Sequence, residues 1–130
     1  MKQLIISGKH TPGVLSQVAS LLGQNAINIE CISGQSFGDE AVINLLTKDY
    51  ITAKKILQEK EFNVKVSDIL KFELINRPGE LGKITKLIAN EGINIDSAFL
   101  LSSNNEKTVV AFAFDDNVKA KRTFRKYITG

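Results

Sequence analysis

Two short turns carry the residue types that could do chemistry. His10-Thr11-Pro12-Gly13 and Asn76-Arg77-Pro78-Gly79 lie 66 residues apart, each just ahead of an apolar helical pattern. A Pro-Gly turn at a helix start leaves the first backbone N–H groups without intrahelical partners, and the helix dipole makes that spot attractive to a carboxylate or phosphate. Glycine at position 13 or 79 lets a ligand approach the backbone with no Cβ in the way. For either turn alone, a plain helix start is the competing account. Asn76 offers a donor and an acceptor together, so it can cap its turn or pair with both ends of a zwitterion.

Catalytic chemistry has less to work with. His10 is the only histidine, and no carboxylate or thiol stands at metal-ligand spacing from it. A loop cap or a ligand hydrogen bond suits it better than catalysis or metal binding. Cys31, the single cysteine, excludes an intrachain disulfide and fits a reducing compartment. Near Ile29 and Ile32 it is expected to be a buried, small apolar side chain. With no nucleophile–base pair in view, no enzyme activity, cofactor or metal is expected.

The elements that must position the turns come in duplicate. Between 12–29 and 78–95, seven of eighteen positions are identical and five more are close exchanges. Average composition gives about one identity by chance. The chain is therefore expected to be two copies, 1–67 and 68–130, each reading β-α-β-β-α-β.

Leu4 and Ile6, then Phe72 and Leu74, alternate as half-buried first strands. The prolines suit a first helical turn. Behind them Leu15, Val18, Ala19 and Leu22, and in the second copy Leu81, Ile84, Thr85 and Ile88, form the stripe of a helix lying on a sheet. Second strands are expected over 27–35 and 93–102, and third strands over 40–47 and 107–114. Second helices carry Ala53, Ile56 and Leu57, then Ala120, Phe124, Tyr127 and Ile128. A fourth strand at 62–66 closes the first copy. The second ends at the point equivalent to Val64, so it lacks a full last strand. The open edge that results, and strands apolar on both faces, favour an oligomer, here a homodimer.

An apolar fraction of 43% with 24% charged residues is ordinary for a globular chain. The longest apolar run, 109–114, is too short to cross a bilayer, and the three apolar residues after Met1-Lys2-Gln3 are too few for a signal peptide. A cytoplasmic location without membrane association is expected. The net charge of +3 is modest. Lys119, Lys121, Arg122, Arg125 and Lys126 concentrate basic character in the last helix, read as a solvated face, with nucleic-acid binding as the alternative.

The stretch "NRPGELGKITKLIANEGINID" at 76–96 resembles the signature of the ACT domain, a small-molecule-binding regulatory module, and "HTPGVLSQVASLLGQNAINIE" at 10–30 is a looser copy. The resemblance implies an α+β, ferredoxin-like fold in tandem, strand order 4-1-3-2, helices on one face, and amino acids bound where paired domains meet. By motif position it implies ligand contacts at Asn76, Arg77, Gly79, Glu80 and Leu81, and at His10, Thr11, Gly13, Val14 and Leu15. Asn28 and Asn94 match an asparagine frequent at the start of the family's second strand; a turn role is the alternative for both. The better-furnished loop is expected in the second copy, so that loss of Asn76 outweighs loss of His10.

The resulting expectation is a stand-alone regulatory module that binds a small amino acid and signals to a separate metabolic enzyme. The small subunit of an acetolactate-synthase-type enzyme is the nearest alternative, since 12–33 also resembles that subfamily's first module.

Overall fold

The computed structural model describes residues 1–130. The chain divides into two compact units, Met1–Ser67 and Asp68–Gly130. The first contains β1 (Lys2–Lys9), α1 (Val14–Gln24), β2 (Cys31–Phe37), β3 (Glu40–Thr47), α2 (Tyr50–Glu59) and β4, which runs Asn63–Asp68. The second contains β5 (Leu70–Ile75), α3 (Glu80–Asn90), β6 (Ile95–Ser103), β7 (Lys107–Phe114), α4 (Asn117–Thr123), a 3-10 turn over Arg125–Tyr127 and β8 (Ile128–Thr129).

Each sheet has four strands, in the orders β2-β3-β1-β4 and β6-β7-β5-β8. Both copies thus show the ferredoxin-like order, and the last strand of the second is reduced to two residues, placed opposite Lys71 and Phe72.

Alternation puts Leu4, Ile6, Ile43 and Leu45 on the face that meets α1 and α2, where Val18, Leu22, Ala53 and Leu57 complete a buried core. Phe72, Leu74, Val110, Phe112 and Phe114 do the same beneath Ile84, Ile88, Ala120 and Phe124. The first member of each predicted helix stripe departs from this pattern: Leu15 is 53% exposed and Leu81 52%. As the second residues of their helices, these leucines stand beyond the sheet face that their partners bury.

Pro12 and Pro78 do not enter the helices. Each stands one residue ahead of a glycine with positive φ, +86° at Gly13 and +90° at Gly79. The Val14 amide reaches the Thr11 carbonyl at 3.4 Å and the Glu80 amide reaches that of Arg77 at the same distance. These are type II turns with proline second and glycine third, and the left-handed glycine postpones the helix to the next residue.

The second strands begin later than their apolar residues suggest. The Ile27 amide donates to Leu22 O and the Ala26 amide to Gly23 O, with Ala26 at φ +57°. Ile93 and Gly92, the latter at φ +72°, repeat the pattern onto Ile88 and Ala89. Both are Schellman stops, in which an apolar residue past the left-handed position packs back on the helix. Ile27 and Ile93 therefore belong to helix ends, and pairing begins only at Cys31 and Ile95. Cys31, on edge strand β2, is half-buried rather than buried.

The last predicted helix also changes character part-way. Ala120, Phe124, Tyr127 and Ile128 all reach the core, but α4 ends at Thr123, Tyr127 lies in the 3-10 turn and Ile128 in β8.

Candidate functional site

The two Pro-Gly turns are built alike and furnished differently. Neither α1 nor α3 has a side-chain cap, whereas α2 and α4 are capped by Asp49 and Asp116. In the second copy the polar groups are already engaged with one another. Asn76 Nδ2 donates to Asn104 O at 2.5 Å, and the Asn76 amide to Glu106 O at 2.8 Å, which fastens the loop to the β6–β7 turn. The Asn76 side chain thus ties two loops together. Arg77 Nε donates to Glu80 Oε1 at 2.6 Å, with the Glu80 side chain mostly covered. Glu80 also places a carboxylate in the first turn of α3, where the dipole favours it.

The first copy has no acidic residue in the first turn of α1. The His10 amide donates to Asp39 O at 2.6 Å, anchoring the turn to the β2–β3 hairpin and leaving the imidazole exposed. Between this turn and the edge strand lies a cavity of about 380 Å³, within the range of small-molecule sites. Its wall is the run His10 to Leu15 together with Gly34, Gln35, Ser36, Ala41 and Ile43.

Local sequence explains the hollow. Gly34 lies opposite Ile43 and Ser36 opposite Ala41 in the ladder, so four residues share the helix-side face at the edge of the sheet. Two of them are glycine and serine, and the α1 start does not reach across. The five expected residues His10, Thr11, Gly13, Val14 and Leu15 therefore come together around one space. The β2 and β3 residues on its far side were not among those expected. Glycine inside a strand pattern was the available signal, since it marks places where another group approaches closely.

Asn28 and Asn94 lie elsewhere. The chain crosses back along the helix before the second strand starts, so Cys31 pairs with Leu46 while the His10 loop adjoins Asp39 at the other end of β3. Asn28 O accepts a 2.9 Å hydrogen bond from Thr47 Oγ1. Asn94 is joined to Asp115 by its amide at 3.0 Å, its side chain at 3.1 Å and a return bond from the Asp115 amide at 3.1 Å. With about 3.3 Å per strand residue, each asparagine sits roughly 20 Å from the Pro-Gly turn of its own copy.

Of the basic residues near the C-terminus, Lys119 donates its Nζ to Glu91 O at 2.6 Å, satisfying the end of α3, and Lys126 lies over the Tyr127 ring at 5.1 Å. Lys121 and Arg122 occupy the last turn of α4, where they complement the dipole. No group of three or more His, Cys, Asp or Glu side chains is arranged to hold a metal ion. No helix is long and apolar enough to cross a membrane.

The chain thus consists of two ferredoxin-like units in tandem, each with an uncapped helix behind a Pro-Gly turn. The sequence profile of the ACT domain pair matches residues 1–126, and the chain belongs to that family. It is an ACT-domain regulatory module.

Among solved structures, the chain is similar to protein BT0572 from Bacteroides thetaiotaomicron, with 23% identity and a TM-score of 0.86 over 98% of this chain and 90% of that one. It is also similar to the ligand-free regulatory subunit of aspartate kinase from Thermus thermophilus, at 17% identity and TM-score 0.69 over 96% and 91%. The corresponding subunit from Thermus flavus gives 18% and 0.64 over 85% and 81%. At these identities the likeness is one of fold. No curated protein matches the chain.

Proposed function

We propose that this ACT-domain pair binds a small amino acid, or a similar zwitterion, in the hollow beside Thr11-Pro12-Gly13 and passes the event to a separate partner protein. The observation that carries the proposal is the cavity itself, which joins the turn, the first residues of α1 and the small residues of β2 in one space. A ligand carboxylate fits the uncapped amides at the start of α1, and the hydroxyl oxygens of Thr11 and Ser36 can accept from an ammonium. A homodimer, a cytoplasmic setting and the lack of any chemistry of its own complete the reading. Signalling requires the ligand to favour one of two states that the partner distinguishes.

This reading favours the opposite order of importance to the one expected from sequence. Asn76 spends its amide on Asn104 O, and Arg77 is held by Glu80, whereas His10 borders the cavity. His10→Ala is expected to weaken binding more than Asn76→Ala.

Thermal unfolding in the presence of each of the twenty amino acids tests the proposal. A ligand at a hundred times its dissociation constant stabilises by about 2.7 kcal/mol. For units of this size each kcal/mol raises Tm by roughly 4–8 °C. No shift with any amino acid at millimolar concentration would refute the binding function.

A further inference from the structure

We infer that Gly34 holds the cavity open and confines binding to the first copy, one amino acid with an uncharged side chain per chain; this rests on the amino-acid-binding function proposed above. The ladder registers show what stands at the matching place in the second copy. Gly34 lies opposite Ile43, which lies opposite Ile6. Leu100 lies opposite Val110, which lies opposite Phe72. Ile6 and Phe72 are separated by the repeat offset of 66, so Leu100 occupies the position of Gly34.

Leu100 is 63% exposed and stands on the helix-side face, where the first copy has open space. At the place where the first copy has no side chain the second copy thus carries a leucine, and its Pro-Gly turn holds the Arg77–Glu80 pair.

Glycine is not demanded at position 34 by the fold. Its φ lies outside the left-handed region, and a Cβ there would meet only Ile43 Cγ1, at an ordinary 3.8 Å. A glycine inside a strand costs stability through backbone entropy and offers no side chain to pack. With neither backbone strain nor crowding to require it, the missing side chain has a use as space for a ligand.

The wall of that space sets the ligand's charge. His10 is its one titratable residue; no carboxylate, lysine or arginine borders it, and Val14, Leu15, Ala41 and Ile43 supply apolar surface. A charged ligand side chain would lose water against these groups without gaining a counter-charge.

Calorimetric titration of the purified chain with each of the twenty amino acids tests this inference. The wild type is expected to take up one equivalent, with uncharged side chains bound and lysine, arginine, aspartate and glutamate at least about tenfold weaker, a difference of about 1.4 kcal/mol. Gly34→Leu is expected to lose affinity by at least about tenfold, as overpacking does. Gly34→Ala, whose one added carbon meets no close contact, is expected to fold and to show a smaller loss in the same direction. Leu100→Ala, which leaves the first copy's wall untouched, is expected to keep the wild-type affinity at that site. Two equivalents per chain, unchanged affinity in both Gly34 variants, or a charged amino acid as the tightest ligand would overturn the inference while leaving the binding function standing. A wild type that binds none of the twenty would overturn both.

Discussion

Replacement of Phe72 by alanine is expected to destabilise the second unit by about 3–5 kcal/mol, the range for removing a buried aromatic side chain. Phe72 is fully buried on β5 and meets four rings. Phe112 approaches edge-on at 5.1 Å, Phe114 and Phe124 lie at 5.8 and 6.1 Å, and Tyr127 stacks at 6.2 Å with an interplanar angle of 5°. These rings come from β7, the end of α4 and the 3-10 turn, so a single side chain fastens the C-terminal segment to the sheet. That segment needs fastening because β8 contributes only two residues to the ladder. The first copy has Ile6 at the matching position among aliphatic neighbours and completes its sheet with the longer β4. Whole domains are stable by only about 5–15 kcal/mol, so such a loss is a large share. Urea unfolding combined with hydrogen exchange at β7 amides checks it. A change under about 1 kcal/mol would show that the aromatic cluster does not hold this segment.

Gly13→Val is expected to cost about 1–3 kcal/mol of stability and to abolish amino-acid binding. A Cβ at Gly13 meets nothing within 4 Å, so the penalty is one of backbone conformation alone. A β-branched residue at φ +86° is strained, and relief requires the turn to reopen. Once the turn moves, the wall of the cavity and the first amides of α1 move with it. Gly82→Ala provides the control: Gly82 is helical, is also uncrowded, and is expected to gain about 0.5–1 kcal/mol from the better helix former. Equal stability of the Gly13→Val and wild-type proteins by urea midpoint would mean that the left-handed turn is not held by the fold.

The residues that made the fold legible are those whose signal is local. Alternation at Leu4 and Ile6, helical spacing at Val18 and Leu22, and turn residues at Gly38-Asp39 and Asn104-Asn105 each carry their own structure, and the repeat counts them twice. The sequence is ambiguous where one residue type serves two structures. Ile27 and Ile93 look like strand residues, yet they are the apolar ends of Schellman stops. Proline suits a first helical turn, but the following left-handed glycine makes it part of a separate turn.

Half of the candidate site was legible because the Pro-Gly turn and the helix start are contiguous in sequence. The other half depends on ladder register. Nothing in the sequence near Gly34 announces that it lies opposite Ile43 and across from Leu15. The far placement of Asn28 and Asn94 follows from chain direction: a helix that returns along the sheet brings the second strand's start beside the first strand's start, away from the turn that began the helix. The partnering of Asn76 and Arg77 is a matter of side-chain geometry with Asn104 and Glu80, so a richer set of polar residues did not mean a more available one.

Backbone amide NMR shifts, followed as the amino acid selected by thermal unfolding is titrated in, test the location of binding most directly. The amides of 13–16 and 34–36 are expected to move together and saturate, while those of 79–82 stay in place. Saturating shifts at 79–82 with 13–16 and 34–36 unmoved would contradict this location.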